Sequence, residues 1–91
     1  MEFEWNETKS KTNVGKHGIS FEEAVTCFYD PYQIAFYDPD HSEKEDREIM
    51  IAHSKNGRLL IVCYTIRDKI LRIISARLAT KREVKSYEEG I

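Results

Sequence analysis

The sequence predicts an α+β fold, in which a mainly antiparallel sheet, a meander, carries N-terminal helices and a C-terminal helix. Over residues 47–78, runs rich in β-branched residues alternate with short polar breaks, which is the pattern of strands joined by tight turns. Two helix-capping patterns precede these runs and one follows them. The 91 residues suffice for one small domain, which we assign to 1–91.

The first residues are predicted to form a short strand and a helix. Residues 3–5 alternate apolar and polar side chains, as a strand does. Asn6 is a favourable N-cap for a helix over residues 7–16, and Gly18 can adopt the left-handed conformation that ends one. The two cations before Gly18 favour the same helix end.

A second helix is predicted to begin after Ser20. Ser20 and Glu23 have the spacing of a capping box, in which each side chain bonds the backbone N–H of the other residue. Pro31 ends this helix, because the residue before a proline is kept out of the α region. The apolar face of the helix consists of Phe21, Ala24, Val25 and Phe28.

Two strands separated by a polar loop are predicted next. Residues 33–37 and 47–54 have strand composition, and residues 38–46 are the polar loop between them. Asn56-Gly57 is a strong tight-turn signal. A tight turn here joins the second of these strands to the one that follows.

The last two strands are predicted to form a β-hairpin. Apolar residues at 59–64 and 70–74 are separated by a short polar break. A capping box at Thr80 and Glu83 then opens a final helix that extends to about Glu89. The predicted element order is therefore β-α-α-β-β-β-β-α.

The net charge of −2 hides a strong asymmetry. Residues 1–48 carry five Lys/Arg and twelve Asp/Glu, a sum of −7, whereas residues 55–85 carry nine and two, a sum of +7. The remaining Glu88 and Glu89 complete the total. Such a chain can present a cationic face to a polyanion. Alternatively, its two halves neutralise each other across the fold.

Four arginines lie in and beside the predicted hairpin: Arg58, Arg67, Arg72 and Arg77. Burying an unpaired guanidinium group is costly, so these side chains must face water, acids or a ligand. Guanidinium groups bind phosphate bidentately, and we therefore interpret the hairpin as the floor of a phosphate-binding surface. We expect the four guanidinium groups to converge there, to bind phosphate and to stabilise the charge of the transition state, with Arg58 and Arg77 as catalytic residues. Alternatively, Arg58 and Arg72 only pair with the acids of residues 38–48.

Metal-free RNA cleavage needs a base for the ribose 2′-hydroxyl, a cation for the pentacovalent phosphorane and an acid for the leaving oxygen. Our candidates for proton transfer are Glu45, His17 and His41. Lys16 and Arg47 are expected to add positive charge for RNA binding. The alternative role for His17 is an interaction with the C-terminus of its own helix.

Two aromatic residues, Tyr64 and Trp5, offer faces on which unpaired bases can stack. Alternatively, both rings belong to the core. His53 lies on an apolar strand, and we interpret it as structural.

Several other function classes are disfavoured. No apolar run approaches a membrane span and the N-terminus lacks a signal-peptide core, so we expect a cytoplasmic protein without a membrane partner. Glycine-rich phosphate loops, CxxC pairs and HExxH are absent from the sequence, and we expect neither metal nor cofactor. Cys27 and Cys63 lie in apolar runs and are expected to pack as small hydrophobes in a reducing compartment.

The sequence closely resembles one family over nearly the whole chain, from Phe3 to Tyr87. The matching blocks, in the order and spacing of that family, are FEW at 3–5, Lys9, Asn13, KHGISFEEA at 16–24, DP at 30–31, DHS at 40–42 with Glu45 and Arg47, GR at 57–58, VCYT at 62–65 and RIISAR at 72–77. These blocks resemble those of BrnT, the toxin of bacterial type II toxin–antitoxin pairs. KHGxSFEEA and RIISAR together make the resemblance specific.

The resemblance implies a RelE-like fold and a ribonuclease activity that blocks translation and growth. It also implies a BrnA-type antitoxin, a ribbon-helix-helix protein that binds DNA, with operator DNA reached only through the toxin–antitoxin complex. Two positions depart from the family pattern: Asn6 replaces the usual Asp, and Ile66 replaces an acidic residue beside Arg67. The Ile66 departure motivates a second hypothesis, a catalytically weak module that binds the antitoxin and tunes operator binding. A third is a free-standing nucleic-acid binder.

Overall fold

The computed structural model describes residues 1–38, 40 and 46–90. In chain order its elements are β1 (Glu2–Glu4), α1 (Glu7–His17), α2 (Phe21–Thr26) followed by a 3-10 turn (Cys27–Tyr29), β2 (Ile34–Tyr37), β3 (Arg47–His53), β4 (Leu59–Arg67), β5 (Ile70–Leu78) and α3 (Lys81–Glu89). The strands form one sheet in the order β1-β5-β4-β3-β2. β1 is parallel to β5, and the other pairs are antiparallel. The predicted α+β fold is confirmed.

The first and last helices have the predicted caps. The Asn6 side chain accepts a hydrogen bond of 3.0 Å from the backbone N–H of Lys9, and Gly18 ends α1 with a φ of 71°. Thr80 and Glu83 form the reciprocal capping box that opens α3. These helix ends are therefore set by residues within one turn of the boundary.

The capping of α2 involves a longer-range contact. The Ser20 hydroxyl accepts a hydrogen bond of 3.1 Å from the backbone N–H of Glu23, as predicted. The Glu23 carboxylate is engaged elsewhere, since it accepts hydrogen bonds from Ser54 Oγ (2.6 Å) and from the Arg58 guanidinium. A buried carboxylate is stabilised more by a cation and a hydroxyl than by one backbone N–H.

Both predicted tight turns are present. Gly57 has a φ of 78° in the turn between β3 and β4. Asp68 and Lys69 join β4 to β5 with φ values of 52° and 67°, as in a type I′ turn. The hairpin strands are longer than predicted, because β4 stays paired up to Arg67 at the turn and β5 stays paired as far as Leu78 at the other end.

The hydrophobic core lies between α2 and one face of the sheet. Its buried members are Ile19, Phe21, Ala24, Cys27, Met50, Ala52, Leu60, Val62, Tyr64, Leu71, Ile73 and Ala76. Because successive strand side chains point to opposite faces, the side chains at positions 47, 67, 72 and 77 project away from this core. The sheet therefore has a second face, opposite the core, that carries these arginines.

One side chain joins α1 to the edge of β5. β1 pairs only with residues 70–72 of that strand. Further along β5, Asn13 Nδ2 donates to the carbonyl of Ala76 (2.7 Å), and Asn13 Oδ1 accepts from the N–H of Ala76 (3.3 Å). Asn13 Nδ2 also donates to the carbonyl of Ile19 (2.8 Å). The side chain thus replaces a neighbouring strand at this edge.

The C-terminal helix lies against β3. The Tyr87 hydroxyl donates to Asp30 Oδ2 (2.6 Å), and the same oxygen accepts from the backbone N–H of His53 (2.8 Å). The His53 and Tyr87 rings meet edge to face, with centroids 5.0 Å apart. His53 therefore has the structural contacts that its place on an apolar strand predicts.

Candidate phosphate-binding surface

Three polar side chains line up across the sheet face opposite the core. Arg47 of β3 lies opposite Thr65 of β4, and Thr65 lies opposite Arg72 of β5. The Thr65 hydroxyl is buried and donates to the carbonyl of Asp46 (2.6 Å). Side chains at paired positions project to the same side, so Arg47, Thr65 and Arg72, which we call the arginine row, place cations from two strands on one face.

A cavity of about 200 Å³ adjoins the arginine row and is lined by Glu4, Thr65, Arg67, Ile70 and Arg72. The Arg72 guanidinium lies 3.5 Å from the Glu4 carboxylate, and both side chains are about half exposed. An exposed pair of this kind contributes little stability. Glu4 is therefore a weak competitor for a phosphate at Arg72. Among the described residues, Arg72 pairs with Glu4 and not, as our alternative proposed, with an acid of residues 38–48.

Arg77 lies on the same sheet face but is bound to α3. Its Nη1 and Nη2 each donate to one carboxylate oxygen of Glu83 at 2.8 Å. These hydrogen bonds lower the pKa of Glu83 to about 2 and raise the pKa of Arg77. A phosphate at Arg77 would have to displace this carboxylate.

Arg58 does not join the other arginines, and this corrects the predicted convergence of four guanidinium groups. Its side chain donates to the Glu23 carboxylate and to the carbonyl of Gly18 (3.1 Å), on the side of the sheet that packs against α2. The hydrogen bond from Arg58 lowers the pKa of Glu23, whose side chain is only 6% exposed. The partner of Arg58 is thus a buried carboxylate of α2, rather than an acid of residues 38–48.

Two predicted site residues lie at the exposed end of α1. Lys16 and His17 line a groove of about 280 Å³ together with Ile74 and Ser75 of β5. β5 is also the strand that carries Arg72. The fold therefore brings the end of α1 to the strand of the arginine row.

Tyr64 is not a base-stacking platform, which corrects its assignment to RNA binding. It is 4% exposed and meets the Phe28 ring edge to face, with centroids 5.0 Å apart. Burial, with a smaller contribution from Glu48, raises the pKa of Tyr64 to about 12. Trp5 is half-buried against the core, and its indole N–H donates to Glu7. Both rings therefore pack in or against the core, as our alternative for them proposed.

Two of the three proton-transfer candidates, His41 and Glu45, lie outside the described residues. His17 is exposed at the end of α1. Sequence reasoning missed Thr65, the centre of the arginine row. Its position could have been predicted from the Asn-Gly turn, because counting outward from that turn along β3 and β4 pairs Arg47 with Thr65.

The described residues contain no group of three His, Cys, Asp or Glu side chains suited to hold a metal. Cys27 and Cys63 are free thiols. Burial raises the pKa of Cys27 to about 12, so this thiol stays protonated and packs as a small hydrophobe, as predicted. None of the helices in the described ranges has the length and apolar character of a membrane span.

A small α+β protein with a cationic sheet face is the class that these features define. Over residues 5–83 the sequence matches the family described as the ribonuclease toxin, BrnT, of type II toxin–antitoxin systems. The chain therefore belongs to the BrnT family, and the resemblance seen in the sequence is confirmed.

A solved structure has a similar fold. The crystal structure of the Brucella abortus ribonuclease toxin, BrnT, determined at 1.1 Å, superposes with a TM-score of 0.59 and 24% sequence identity, covering 89% of this chain and 99% of that one. At this identity the likeness concerns the fold. Among curated proteins, no match was found.

Proposed function

We propose that this protein is an endoribonuclease toxin that cleaves RNA without a metal ion and so inhibits translation and growth. The observation that carries the proposal is the arginine row, where Arg47 and Arg72 flank Thr65 and Arg67 shares the cavity of Arg72. Guanidinium groups fixed on a sheet face are suited to stabilise charge on a reacting phosphate. Membership of a family described as ribonuclease toxins supports the same activity.

In the proposed reaction, the ribose 2′-hydroxyl attacks the adjacent phosphorus and the 5′-oxygen of the next nucleotide leaves. The products are a 2′,3′-cyclic phosphate and a free 5′-hydroxyl. Arg67 and Arg72 bind the phosphate and stabilise the phosphorane charge. Glu45, His17 and His41 are the candidates that we propose for proton transfer.

Replacement of Arg72 tests the site. We expect Arg72→Ala to slow cleavage of a labelled single-stranded RNA about 100-fold in buffer with EDTA, because a preorganised donor for the transition state is lost. Arg82→Ala removes an exposed arginine of α3 and should cleave at the wild-type rate.

Three outcomes would contradict the proposal. Wild-type cleavage by Arg72→Ala removes the arginine row from the reaction. Loss of wild-type cleavage in EDTA shows that a metal is required. Cleavage of an RNA whose 2′-hydroxyls are all methylated excludes attack by the 2′-oxygen.

We further propose a BrnA-type ribbon-helix-helix antitoxin as the neutralising partner, acting in the cytoplasm. The description of the family as toxins of type II toxin–antitoxin systems supports an antitoxin partner. In the proposed arrangement only the complex binds operator DNA. Co-expression with the neighbouring reading frame tests this: the two products should co-purify, and the toxin alone should leave operator DNA unshifted.

A second candidate is a catalytically weak module that holds the antitoxin and tunes operator binding. Two observations favour it: Arg58 and Arg77 are occupied by carboxylates, and Ile66 is exposed beside Arg67. Incubation of the purified chain with total RNA separates the two candidates. Absence of cleavage over a wide concentration range, with tight antitoxin binding retained, would favour the module.

A further inference from the structure

The groove between α1 and β5 has a cationic lining in a chain of net charge −2. Its walls are formed by Lys9, Thr12, Asn13, Lys16, His17, Ile74 and Ser75. Among the residues that the structure describes, this lining contains no carboxylate. In contrast, Glu4 lines the cavity at the arginine row and Asp30 lines the one beside His53. An anionic ligand would therefore meet cations and hydroxyl groups here without repulsion from the walls.

The two walls of the groove, α1 and β5, are fixed relative to each other by hydrogen bonds. Asn13 ties α1 to the edge of β5 through two hydrogen bonds with Ala76. Lys9, Thr12 and Lys16 are spaced three and four residues apart, so they lie along one side of the helix. The two lysines are separated by roughly 10 Å along the helix axis, which spans more than one phosphate of an extended strand.

The two lysines differ from the paired arginines in their surroundings. Lys9 and Lys16 are exposed, and no ion pair involves either of them among the described residues. Ser75, on the opposite wall, lies roughly 10 Å along β5 from Arg72 at the strand rise of each residue. The groove and the arginine row are therefore two cationic sites on the same strand.

We propose that this groove binds the phosphates of single-stranded RNA, with Lys9 and Lys16 neutralising the charge and Asn13 acting as a positioning residue. The inference rests on the proposed ribonuclease function, for which the groove guides the substrate to the arginine row. RNA fits better than a protein partner, because the described lining has no Phe, Tyr or Trp, which protein interfaces favour, and contains two lysines, a residue type depleted there.

The test measures binding of a single-stranded RNA of about 12 nucleotides, a length within the range of single-strand sites, with every 2′-hydroxyl methylated to block cleavage. We expect Lys9→Ala/Lys16→Ala to bind about 10- to 30-fold more weakly at 0.1 M salt. The slope of log affinity against log salt should fall by about 1.4, because two phosphate contacts are lost. The matched control, Lys81→Ala/Lys85→Ala, removes two exposed lysines of α3.

Each other outcome overturns the inference. An equal loss in the control means that net charge alone attracts RNA. Unchanged RNA affinity in the groove variant, with or without weaker antitoxin binding, means that the groove does not hold RNA. This test can fail independently of the proposed function. If RNA binding depends on Lys9 and Lys16 but the wild-type protein does not cleave RNA, only the proposed nuclease activity is excluded. If the wild-type protein cleaves RNA but binding does not depend on these lysines, only the proposed role of the groove is excluded.

Discussion

At the scale of single residues, Asn13 shows how much can depend on one amide. It is 7% exposed and bonds the backbone of Ala76 and Ile19, so it links α1, β5 and the residues between α1 and α2. Its donor and acceptor match the N–H and carbonyl that a neighbouring strand would otherwise satisfy.

Loss of this amide should be costly. We expect Asn13→Ala to lower the free energy of unfolding by about 2–4 kcal/mol, because two backbone carbonyls and one N–H lose their buried partner. Urea denaturation measures the change. Lys11→Ala on the exposed side of α1 is the control and should change stability by less than about 0.5 kcal/mol. Equal stability of both variants would contradict the proposed role of the amide.

At the scale of elements, the β4–β5 turn carries local backbone strain. Lys69 has a φ of 67°, where a Cβ atom is disfavoured and glycine is not. We expect Lys69→Gly to raise the free energy of unfolding by about 0.5–1 kcal/mol. Lys69→Ala removes the same charge but keeps the Cβ, so it should show no gain. Thermal unfolding of the pair separates backbone strain from charge.

The docking of α3 depends on the Tyr87 hydroxyl. It donates to Asp30, whose side chain is 7% exposed, and burial together with this carboxylate raises the pKa of Tyr87 to about 12. We expect Tyr87→Phe to destabilise the fold by about 1–2 kcal/mol and to speed amide hydrogen exchange in α3. Tyr29→Phe, at an exposed tyrosine, should have neither effect. Unchanged exchange in Tyr87→Phe would mean that the hydroxyl does not hold the helix.

At the scale of the whole molecule, the acidic and basic halves partly neutralise each other. Glu23 pairs with Arg58, and Glu4 pairs with Arg72, each joining the acidic N-terminal half to the basic C-terminal half. Both readings of the charge asymmetry therefore hold in part. The halves meet through ion pairs, and the arginine row still presents cations on one sheet face.

Acid should destabilise this arrangement. The pKa of Glu83 is lowered from 4.5 to about 2 by its hydrogen bonds with Arg77, and the pKa of Glu23 is also lowered. A depressed carboxyl pKa stabilises the fold above the unfolded value, and this contribution is lost as pH falls towards the folded value. For Glu83 we expect a loss of about 1–2 kcal/mol between about pH 5 and pH 2, after allowing for solvent screening.

Denaturant titrations at several pH values measure this slope. Glu83→Gln removes the titrating group but keeps the side-chain shape, so its stability should depend less steeply on pH over the same range. A slope identical to that of the wild type would show that the Arg77–Glu83 pair does not contribute.

The sequence determined those features whose chemistry lies within a few residues. The caps at Asn6 and Thr80 and the turn at Gly57 are fixed by local hydrogen bonds and backbone conformation. The order of the elements and the α+β class follow from them and from the apolar periodicity. The same local patterns carry the family blocks, which is why membership could be predicted.

Only the tertiary structure decided which arginines are bound by carboxylates of the helices and which lie on the sheet face opposite the core. Arg58 is bound by Glu23, a residue 35 positions away in the chain, and the ring of Phe28, from the 3-10 turn after α2, packs against Tyr64. Which charges pair depends on which strands and helices are in contact. These contacts are set by packing between residues that are distant in the sequence. No window of neighbouring residues contains that information.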